Sequence, residues 1–558
     1  MSRVFEIGDK YVDELAAIEP STATFLGIPG HDHEMDDLSP DGAAREAELN
    51  RRTVGELLAA PTDTEEDRIA QEVMHERLSV ALDTYEAGEY LRALRNIASP
   101  LQGVRQIFDY MPKETEEQWS NVAARLKAVP QALDGYRQTL SLGMSEQLFA
   151  AKRQAREGAV QARTWAGLVE GKPSYFDQLA EQFAKSGVSS KGLAKEIEEG
   201  VTAAKRGYGE MYRFLIEDYE PQASEREGVG PDRYELMARV FLGAAIDPLE
   251  TYQWGWDEQY RIEEEMAKTA ERIKPGASVA EVTELLETDP ARSIEGVEAY
   301  REWLQQMHDE ALNDLHGKHF DIPDAIRKIE VMIPPPGGAL APYYTSPSED
   351  LSRPGRTWWP TGDATSFPKW ADVSTVYHEG VPGHHLQLGT VRLYPEKLSR
   401  YQRLLTFISG HGEGWALYSE RLMHELGYLE NPDYYMGLLS AQALRAVRVI
   451  IDIGMHLELK IPQGERFHPG ETWNHDLALE FSTERALRPK SFMASEVVRY
   501  LGWPAQAISY KVGERYWLEA REAARQAAGD AFDFKDYHTK ALSIGPMGLA
   551  QLQRELGG

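Results

Sequence analysis

The densest group of chemically active side chains lies in a segment that reads YHEGVPGHH. It places His378 beside Glu379, and His384 and His385 follow six and seven residues after His378. Many zinc hydrolases bind metal through two His residues four apart on a helix, with a Glu beside the first His as general base. Here the fourth position is Pro382, which cannot bind a metal. The segment therefore predicts a zinc site with altered ligand spacing.

A straight helix would not bring these imidazoles to one ion. Residue i+6 is turned by about 240° from residue i, and residue i+7 lies about 10 Å further along the axis. Proline removes a backbone donor and glycine relaxes the backbone, so Gly380, Pro382 and Gly383 predict an interrupted helix. A bulge of two residues would carry His384 to the usual place of the second ligand. We therefore expect His378 and His384 to bind the metal.

Two alternatives stay open for this segment. His385 could replace His384 as the second ligand; otherwise we expect it to contact a ligand or the substrate. In the other alternative the helix ends at Pro382, and the His residues cap or pack against it. Three His and one Glu within eight residues, in a chain with 15 His, make this second interpretation the less favoured one.

The segment HGEGWALYSE offers a third ligand. Glu413 lies 29 residues after His384, which is enough chain for a turn and a returning helix. Ala416 and Glu420 share one helix face with Glu413, and the small Ala416 leaves room for a partner. We expect Glu413 as the third ligand. Glu420 either holds the free ring nitrogen of a ligand His or is an exposed helix charge.

A charged stripe runs along the otherwise apolar segment LSAQALRAVRVIIDIGMHLEL, and it consists of Arg445, Arg448, Asp452 and His456. The arginines could hold a substrate carboxylate, and His456 could stabilise an oxyanion. The alternative is an internal salt bridge, for which Arg448 and Asp452 are best placed because they lie four residues apart.

A further segment, EVVRYLGWPAQAISYKVGERY, carries Arg499 and Tyr510. Tyrosine or arginine often stabilises the oxyanion in metal hydrolases. We therefore expect Tyr510 to take this role and Arg499 to contact the ligands or the substrate. The alternative is that Tyr510 is a core tyrosine with a hydrogen-bonded hydroxyl.

Helices must position most of these side chains, because apolar residues recur three and four apart along much of the sequence. The predicted helical regions are 41–96, 114–166, 176–219, 231–273, 295–315, 371–381, 401–426, 433–460, 472–487, 491–500 and 504–528. The predicted boundaries are Pro100, Pro112, Pro130, Pro221, Pro248, Pro275 and Pro323.

Residues 328–362 differ from the rest, because they are rich in β-branched, aromatic, Pro and Gly residues. They predict two or three short strands. An exposed strand edge there could bind an extended peptide, or the strands could form a hairpin that covers the core. The predicted fold is thus mainly α, with a small β insert near 328–362.

Composition limits the possible functions. The chain has 558 residues, 42% of them hydrophobic and 27% charged, as in globular proteins. It has no Cys, so a metal site must use His, Asp and Glu. A formal net charge of -30 argues against nucleic acid and anionic membranes as partners. The first residues form no signal peptide and no apolar run is long enough to span a bilayer, so we expect a cytoplasmic protein.

The strings YHEGVPGHHLQ, EGWALYSERLMHELG and RAVRVIIDIGMH resemble bacterial domain-of-unknown-function family 885 over most of the chain. That family is placed in the thermolysin-like, Glu-ligated zinc peptidase clan. The resemblance implies a helical body around a deep cleft, with His378, His384 and Glu413 as ligands and Glu379 as base. It also implies one family-length region, 1–558, which we divide into a helical half, 1–230, and a catalytic half, 231–558.

These observations predict a zinc-dependent peptidase with one Zn²⁺ ion that cleaves peptides by metal-activated water. Two other functions stay open. One is a metal-dependent hydrolase of a small non-peptide amide, and the other is a non-catalytic helical binding protein with a structural metal. Structural zinc sites usually have four protein ligands, so the number of ligands separates the last case from the first two.

Overall fold

The computed structural model describes residues 2–188, 190–334 and 341–557, and helices dominate these ranges. The predicted mainly α fold is confirmed. The chain forms two compact units, of which unit 1 comprises residues 1–227 with 501–503, and unit 2 comprises 228–500 with 504–558. The functional division at residues 230 and 231 and the deep cleft stay predictions.

Unit 1 is built from helices. They are α1 (Arg3–Ile18), α2 (Pro20–Leu26), α3 (Pro40–Ala59), α4 (Glu65–Glu86), α5 (Pro100–Tyr110), α6 (Glu116–Ser145), α7 (Lys152–Trp165), α8 (Tyr175–Lys185) and α9 (Lys191–Arg213). Short 3-10 helices cover Glu89–Arg92 and Glu220–Gln222, and a π-helix covers Phe214–Tyr219.

The centre of unit 1 is the contact between α6 and α9. Gly200 of α9 faces Leu126 of α6, and a Cβ atom on Gly200 would lie 2.6 Å from that of Leu126. The boundary predicted at Pro130 is wrong, because Pro130 lies inside α6. Proline removes one helical hydrogen bond, but the turns on both sides of Pro130 are buried in the core, and this packing keeps the helix continuous.

Unit 2 contains the other helices. They are α10 (Pro231–Leu242), α11 (Pro248–Ile273), α12 (Val279–Thr288), α13 (Val297–Leu315), α14 (Asp372–Glu379), α15 (His384–Arg392), α16 (Arg400–Leu404), α17 (Ser409–Glu425), α18 (Pro432–His456), α19 (His475–Arg485), α20 (Lys490–Gly502, with its last two residues in unit 1), α21 (Ser509–Ala528), α22 (Phe534–Ser543) and α23 (Leu549–Leu556). Single 3-10 turns lie at Pro290–Arg292, Asp324–Ile326 and Gly529–Ala531.

Helix α18 is the buried centre of unit 2, since almost every residue from Met436 to His456 is shielded from solvent. Glycines allow its neighbours to approach it closely. Gly255 of α11 lies against Val449, where a Cβ atom would be 2.9 Å from the valine Cγ1. A helix buried on nearly all faces is a rigid support for the side chains that it presents.

The β insert is confirmed. Its three-stranded sheet consists of β2 (Ile329–Met332), β3 (Tyr343–Thr345) and β4 (Gly355–Trp358), with β4 central, parallel to β2 and antiparallel to β3. Two further strands, β1 (Ser293–Glu295) and β5 (Ser366–Pro368), pair antiparallel. Residues 335–340 of the predicted β region lie outside the described residues.

Candidate metal centre

The segment YHEGVPGHH forms a helix, a turn and a second helix. Helix α14 ends at Glu379, and α15 begins at His384. The turn is tight, because a Cβ atom on Gly383 would collide with the carbonyl oxygen of His378. The backbone N–H of His385 donates to the carbonyl of Gly380 at 3.0 Å. The predicted two-residue bulge is therefore a complete break between two helices, and the predicted helix 371–381 ends two residues early.

This break brings two imidazoles together. The ring centroids of His378 and His384 lie 4.8 Å apart, with their planes nearly perpendicular at 87°. The Nε2 atom of His378 lies 3.4 Å from Glu413 Oε2, and that of His384 lies 3.5 Å from the same oxygen. One ligand atom from each of the three residues lies within 4.8 Å of the other two. This set of two imidazole nitrogens and one carboxylate oxygen matches the donors that zinc prefers.

Glu413 is supplied by the first turns of α17. Burial alone would raise the pKa of its carboxyl group, but hydrogen bonds to His378 and His384 and the charges of these rings lower that pKa overall. Glu413 is therefore held as a carboxylate. Next to it, Gly414 packs directly on Gly513 of α21, where a Cβ atom would lie 2.5 Å from backbone atoms. This close helix contact fixes the position of Glu413.

Glu420 fixes the orientation of the first imidazole. It follows Glu413 by two turns on α17 and is 1% exposed. The Nδ1–H of His378 donates to Glu420 Oε1 at 2.8 Å, so Nε2 faces Glu413. Burial lowers the pKa of His378, but hydrogen bonds to Glu413 and Glu420 and the charges of Glu379 and Glu420 raise it to about 10 overall. Glu420 is therefore a buried hydrogen-bond partner of His378 and not an exposed charge, and its support of a ligand His stays a prediction.

Glu379 lies beside the three candidate ligands. It is 6% exposed. Burial raises its pKa most, the charges of His378, His384 and Arg445 lower it, and Glu413 raises it further, so that it stays above the usual value. A carboxyl group with a raised pKa next to a metal site is suited to accept and return a proton.

The chain resembles known proteins over nearly its whole length. The sequence model of a bacterial protein family of unknown function, DUF885, matches residues 20–556. The chain belongs to this family. No curated protein matches it.

Two solved structures resemble the DUF885 protein over its full length. A "putative lipoprotein from Colwellia psychrerythraea" has 23% identity and a TM-score of 0.84, with 100% of this chain and 99% of that chain covered. A "putative lipoprotein of unknown function from Shewanella oneidensis" has 18% identity and a TM-score of 0.76, with 99% of each chain covered. The TM-scores show that the three chains share a fold.

The prediction of a cytoplasmic location is contradicted by these two structures, since both are described as a "putative lipoprotein". We withdraw that location. Among the described residues of the DUF885 protein, no helix combines the length and the apolar character needed to cross a bilayer.

His385 lies outside the group of three candidate ligands. Its Nε2 atom contacts the carbonyl of Ile326 at 2.7 Å, and its Nδ1 atom contacts the hydroxyl of Tyr344 at 3.0 Å. It is fully buried, and burial lowers its pKa to about 4. His385 thus holds β3 and the 324–326 turn against α15, while His384 provides the imidazole that faces Glu413.

Arg448 and Asp452 of the charged stripe on α18 have different hydrogen-bond partners. Arg448 donates to Glu496 Oε2 and to the hydroxyl of Tyr500, both at 2.8 Å. Asp452 instead accepts from the hydroxyl of Tyr234 at 2.7 Å. The salt bridge considered between Arg448 and Asp452 is therefore wrong: each side chain binds a partner on another element.

His456 is fully buried at the end of α18, and its Nε2 atom contacts the carbonyl of Tyr500 at 3.0 Å. Burial lowers its pKa to about 4. These contacts are typical of a core histidine that joins α18 to α20. They do not support the predicted role of His456 at an oxyanion.

Arg499 and Tyr510 differ in their surroundings. Arg499 pairs with Glu496 at 2.8 Å and also contacts Gln506. Tyr510 is close enough to Glu413 for that charge to add to burial in raising the pKa of its hydroxyl. The sequence reasoning missed Glu496, which pairs with both Arg448 and Arg499. Its sequence signal is weak, because a Glu three residues before an Arg is common on exposed helices.

Proposed function

We propose that this DUF885 protein is a zinc-dependent hydrolase, and specifically a metallopeptidase. The observation that supports the proposal most strongly is the convergence of His378, His384 and Glu413, with Glu379 beside them. Catalytic zinc sites usually have three protein ligands and structural sites four. The group found among the described residues has three, which favours a catalytic site over a structural one.

Zinc bound there would act as a Lewis acid on a carbonyl oxygen and would make water acidic enough to attack near neutral pH. The protein supplies the remaining steps. Glu379 accepts the proton of the attacking water and delivers it to the leaving nitrogen of the substrate. Glu420 keeps His378 in one tautomer and one orientation throughout.

Tyr510 is the candidate for stabilising the negative oxygen that develops on the substrate. Its ring contacts Arg448 and its hydroxyl lies within the electrostatic reach of Glu413. Among the described residues, no hydrogen-bond partner is found for the hydroxyl. It is therefore free to donate a hydrogen bond to a substrate oxygen.

The test combines metal analysis with a peptide library. We expect purified protein to contain close to one zinc per chain, and mass spectrometry to show cleavage of a mixed peptide library. Replacing the base, Glu379→Gln, should retain the zinc and lower kcat by about 10²–10⁴-fold. The matched control is Glu396→Gln, which changes an exposed carboxylate on the loop after α15 and should leave kcat unchanged.

Two results would overturn the proposal. One is a zinc-loaded wild-type protein that cleaves no member of the peptide library and no small amide. The other is a Glu379→Gln variant as active as the wild type. If small N-acylated amides are cleaved and peptides are not, the same site belongs to an amidohydrolase of small molecules.

A further inference from the structure

Two arginines of α18 face the same tyrosine beside the proposed metal centre. The guanidinium carbon of Arg448 lies 4.6 Å from the ring centroid of Tyr510, and that of Arg445 lies 6.0 Å from it. Because the arginines are three residues apart on a buried helix, they project from one face. The guanidinium groups of Arg445 and Arg448 therefore both lie near the ring of Tyr510.

Arg445 has no carboxylate partner among the residues that the structure describes. Its one hydrogen bond goes to the backbone carbonyl of Ala441 at 3.1 Å. Its Nε atom is buried and has no hydrogen-bond partner. Arg445 is partly buried, and a buried guanidinium nitrogen without a partner loses its hydration without compensation. Arg445 therefore retains donors for an anion.

Arg448 is only partly neutralised. It is 7% exposed and shares the single carboxylate of Glu496 with Arg499. Its Nη1 atom is buried and has no hydrogen-bond partner. One carboxylate thus serves two guanidinium groups, and a donor of Arg448 is left over.

The surroundings add positive charge. Burial and the nearby charges of Arg445 and Arg448 lower the pKa of Arg488 to about 10, although Glu287 and Asp372 oppose this. A concentration of arginines is unusual in this chain, which has 90 acidic and 60 basic residues. Such a local positive potential in an acidic protein attracts an anionic group to one place.

These arginines are close to the reacting groups. Helix α18, which carries both arginines, packs against α14 with His378 and Glu379, against α17 with Glu413 and against α21 with Tyr510. An anion bound between Arg445 and Arg448 would therefore lie near the base and the metal ligands.

We infer that Arg445 and Arg448 form a subsite for a substrate carboxylate, so that the enzyme cleaves an amide bond close to a free carboxylate. Guanidinium groups suit this role because they bind carboxylates through paired, charge-assisted hydrogen bonds. The inference rests on the proposed hydrolase function. Three substrates share this chemistry: a peptide with a free C-terminus, a peptide with an internal Asp or Glu, and an N-acyl amino acid.

The first experiment compares matched substrates on the zinc-loaded full-length protein. The set contains N-acetylated peptides with a free C-terminus, the same peptides amidated, amidated peptides with an internal Asp, and N-acyl amino acids. We expect amidation to lower kcat/KM about 10–100-fold, the range expected for losing charge-assisted hydrogen bonds. Cleavage of the Asp-containing amides or of the N-acyl amino acids alone would identify the source of the carboxylate. Equal cleavage of acid and amide throughout would overturn the inference and leave the hydrolase function standing.

The second experiment measures binding. The Glu379→Gln protein is titrated calorimetrically with N-acetyl-alanyl-alanine and with its amide. We expect the acid to bind at least about 10-fold more tightly, and Arg445→Met in that background to remove the preference. Arg445→Lys should restore part of it. The matched control, Arg515→Met, removes a half-buried arginine that pairs with Glu250 and should preserve the preference.

The two measurements separate the possible failures. If the acid binds preferentially but no substrate is cleaved, the hydrolase function fails while the carboxylate subsite stands. If acid and amide bind equally, or if Arg445→Met keeps the preference, the subsite is wrong. If Arg445→Met does not fold, the comparison of acid with amide binding to the Glu379→Gln protein, which keeps both arginines, still decides the question.

Discussion

The hydrogen bond between His378 and Glu420 makes one nitrogen of the imidazole available to a metal. This hydrogen bond is buried and 2.8 Å long. Glutamine at position 420 could still accept it, so Glu420→Gln mainly removes the negative charge beside His378. We expect Glu420→Gln to weaken zinc binding about 10-fold or more, measured by competition with a chelator of known affinity. Glu425→Gln on the same helix is the control, since Glu425 pairs with Arg521 near the surface. Equal zinc affinity of both variants would contradict the supporting role.

Asp452 predicts a pH dependence of stability. Burial raises the pKa of Asp452, whereas hydrogen bonds from Tyr234 and Ala505 and the charge of Arg499 lower it. The overall pKa is about 7. The folded protein therefore holds a proton that the unfolded chain releases near pH 4. This contribution to stability is complete below that pH and is lost as the pH rises to about 7, by about 4 kcal/mol in total.

The neutral variant Asp452→Asn isolates this contribution. We expect the wild type to lose stability relative to the variant between about pH 4 and pH 7, and the difference to stay constant above. Urea unfolding of both proteins across this range measures it. A difference independent of pH would mean that Asp452 is ionised in the folded protein. Other carboxylates cancel in this comparison, because both proteins contain them.

Sequence reasoning at the level of residues succeeds where few donor types are available. Without Cys, the clustered His and the nearby Glu413 are the strongest candidates, and the structure places these side chains together. It cannot find Arg488 or Glu496, because nothing local distinguishes them from surface charges. Their relation to Arg448 arises when α18, α19 and α20 pack.

At the level of elements, three glycines determine how closely α17 approaches α21. A Cβ atom on Gly513 would collide with the carbonyl of Gly410 and lie 2.7 Å from the Cα of Gly414. We expect Gly513→Ala to push the helices apart, to cost about 1–3 kcal/mol of stability, and to weaken zinc binding because Glu413 adjoins the contact. Thermal unfolding and chelator competition measure the two effects.

The control for this change is Gly55→Ala. Gly55 lies inside α3, and a Cβ atom there would meet nothing within 4 Å. Alanine favours the helix over glycine, so this variant should gain about 0.5–1 kcal/mol. Unchanged zinc affinity and stability in Gly513→Ala would show that the helices adjust without moving Glu413.

Periodicity predicted the existence of the elements better than their ends. The predicted helix 433–460 corresponds to α18, because its apolar pattern is strong. The predicted helix 401–426 is two helices, α16 and α17, separated at residues 405–408. The predicted helix 504–528 begins only at Ser509. In these cases chain reversals and tertiary contacts, which hydrophobic spacing does not encode, determine where a helix begins.

At the level of the whole molecule, composition predicted a globular chain and hydrophobic spacing predicted a mainly α fold, and both solved structures share that fold at low identity. The centre lies entirely within unit 2. A fold retained at 18–23% identity depends on the pattern of buried positions more than on individual residues. The location of the protein, by contrast, did not follow from composition.

The confinement of the centre to unit 2 predicts where zinc stabilises the protein. The unfolded chain cannot hold His378, His384 and Glu413 together, so zinc bound at the proposed centre would stabilise the folded state. At free zinc about a thousandfold above Kd, the gain is about 4 kcal/mol. Hydrogen exchange should slow in α14, α15 and α17 on adding zinc and should not change in residues 2–188 of unit 1.

Chelation should reverse both effects. We expect EDTA to lower the Tm of the zinc-loaded protein and to restore fast exchange in the same three helices. In His384→Ala, zinc should no longer shift the Tm, because one imidazole is missing from the set. His33→Ala, which removes an exposed imidazole in unit 1, should respond to zinc like the wild type. If zinc instead protects unit 1 and leaves α14, α15 and α17 unprotected, or still stabilises His384→Ala, the ion binds elsewhere and the three side chains on these helices do not form its site.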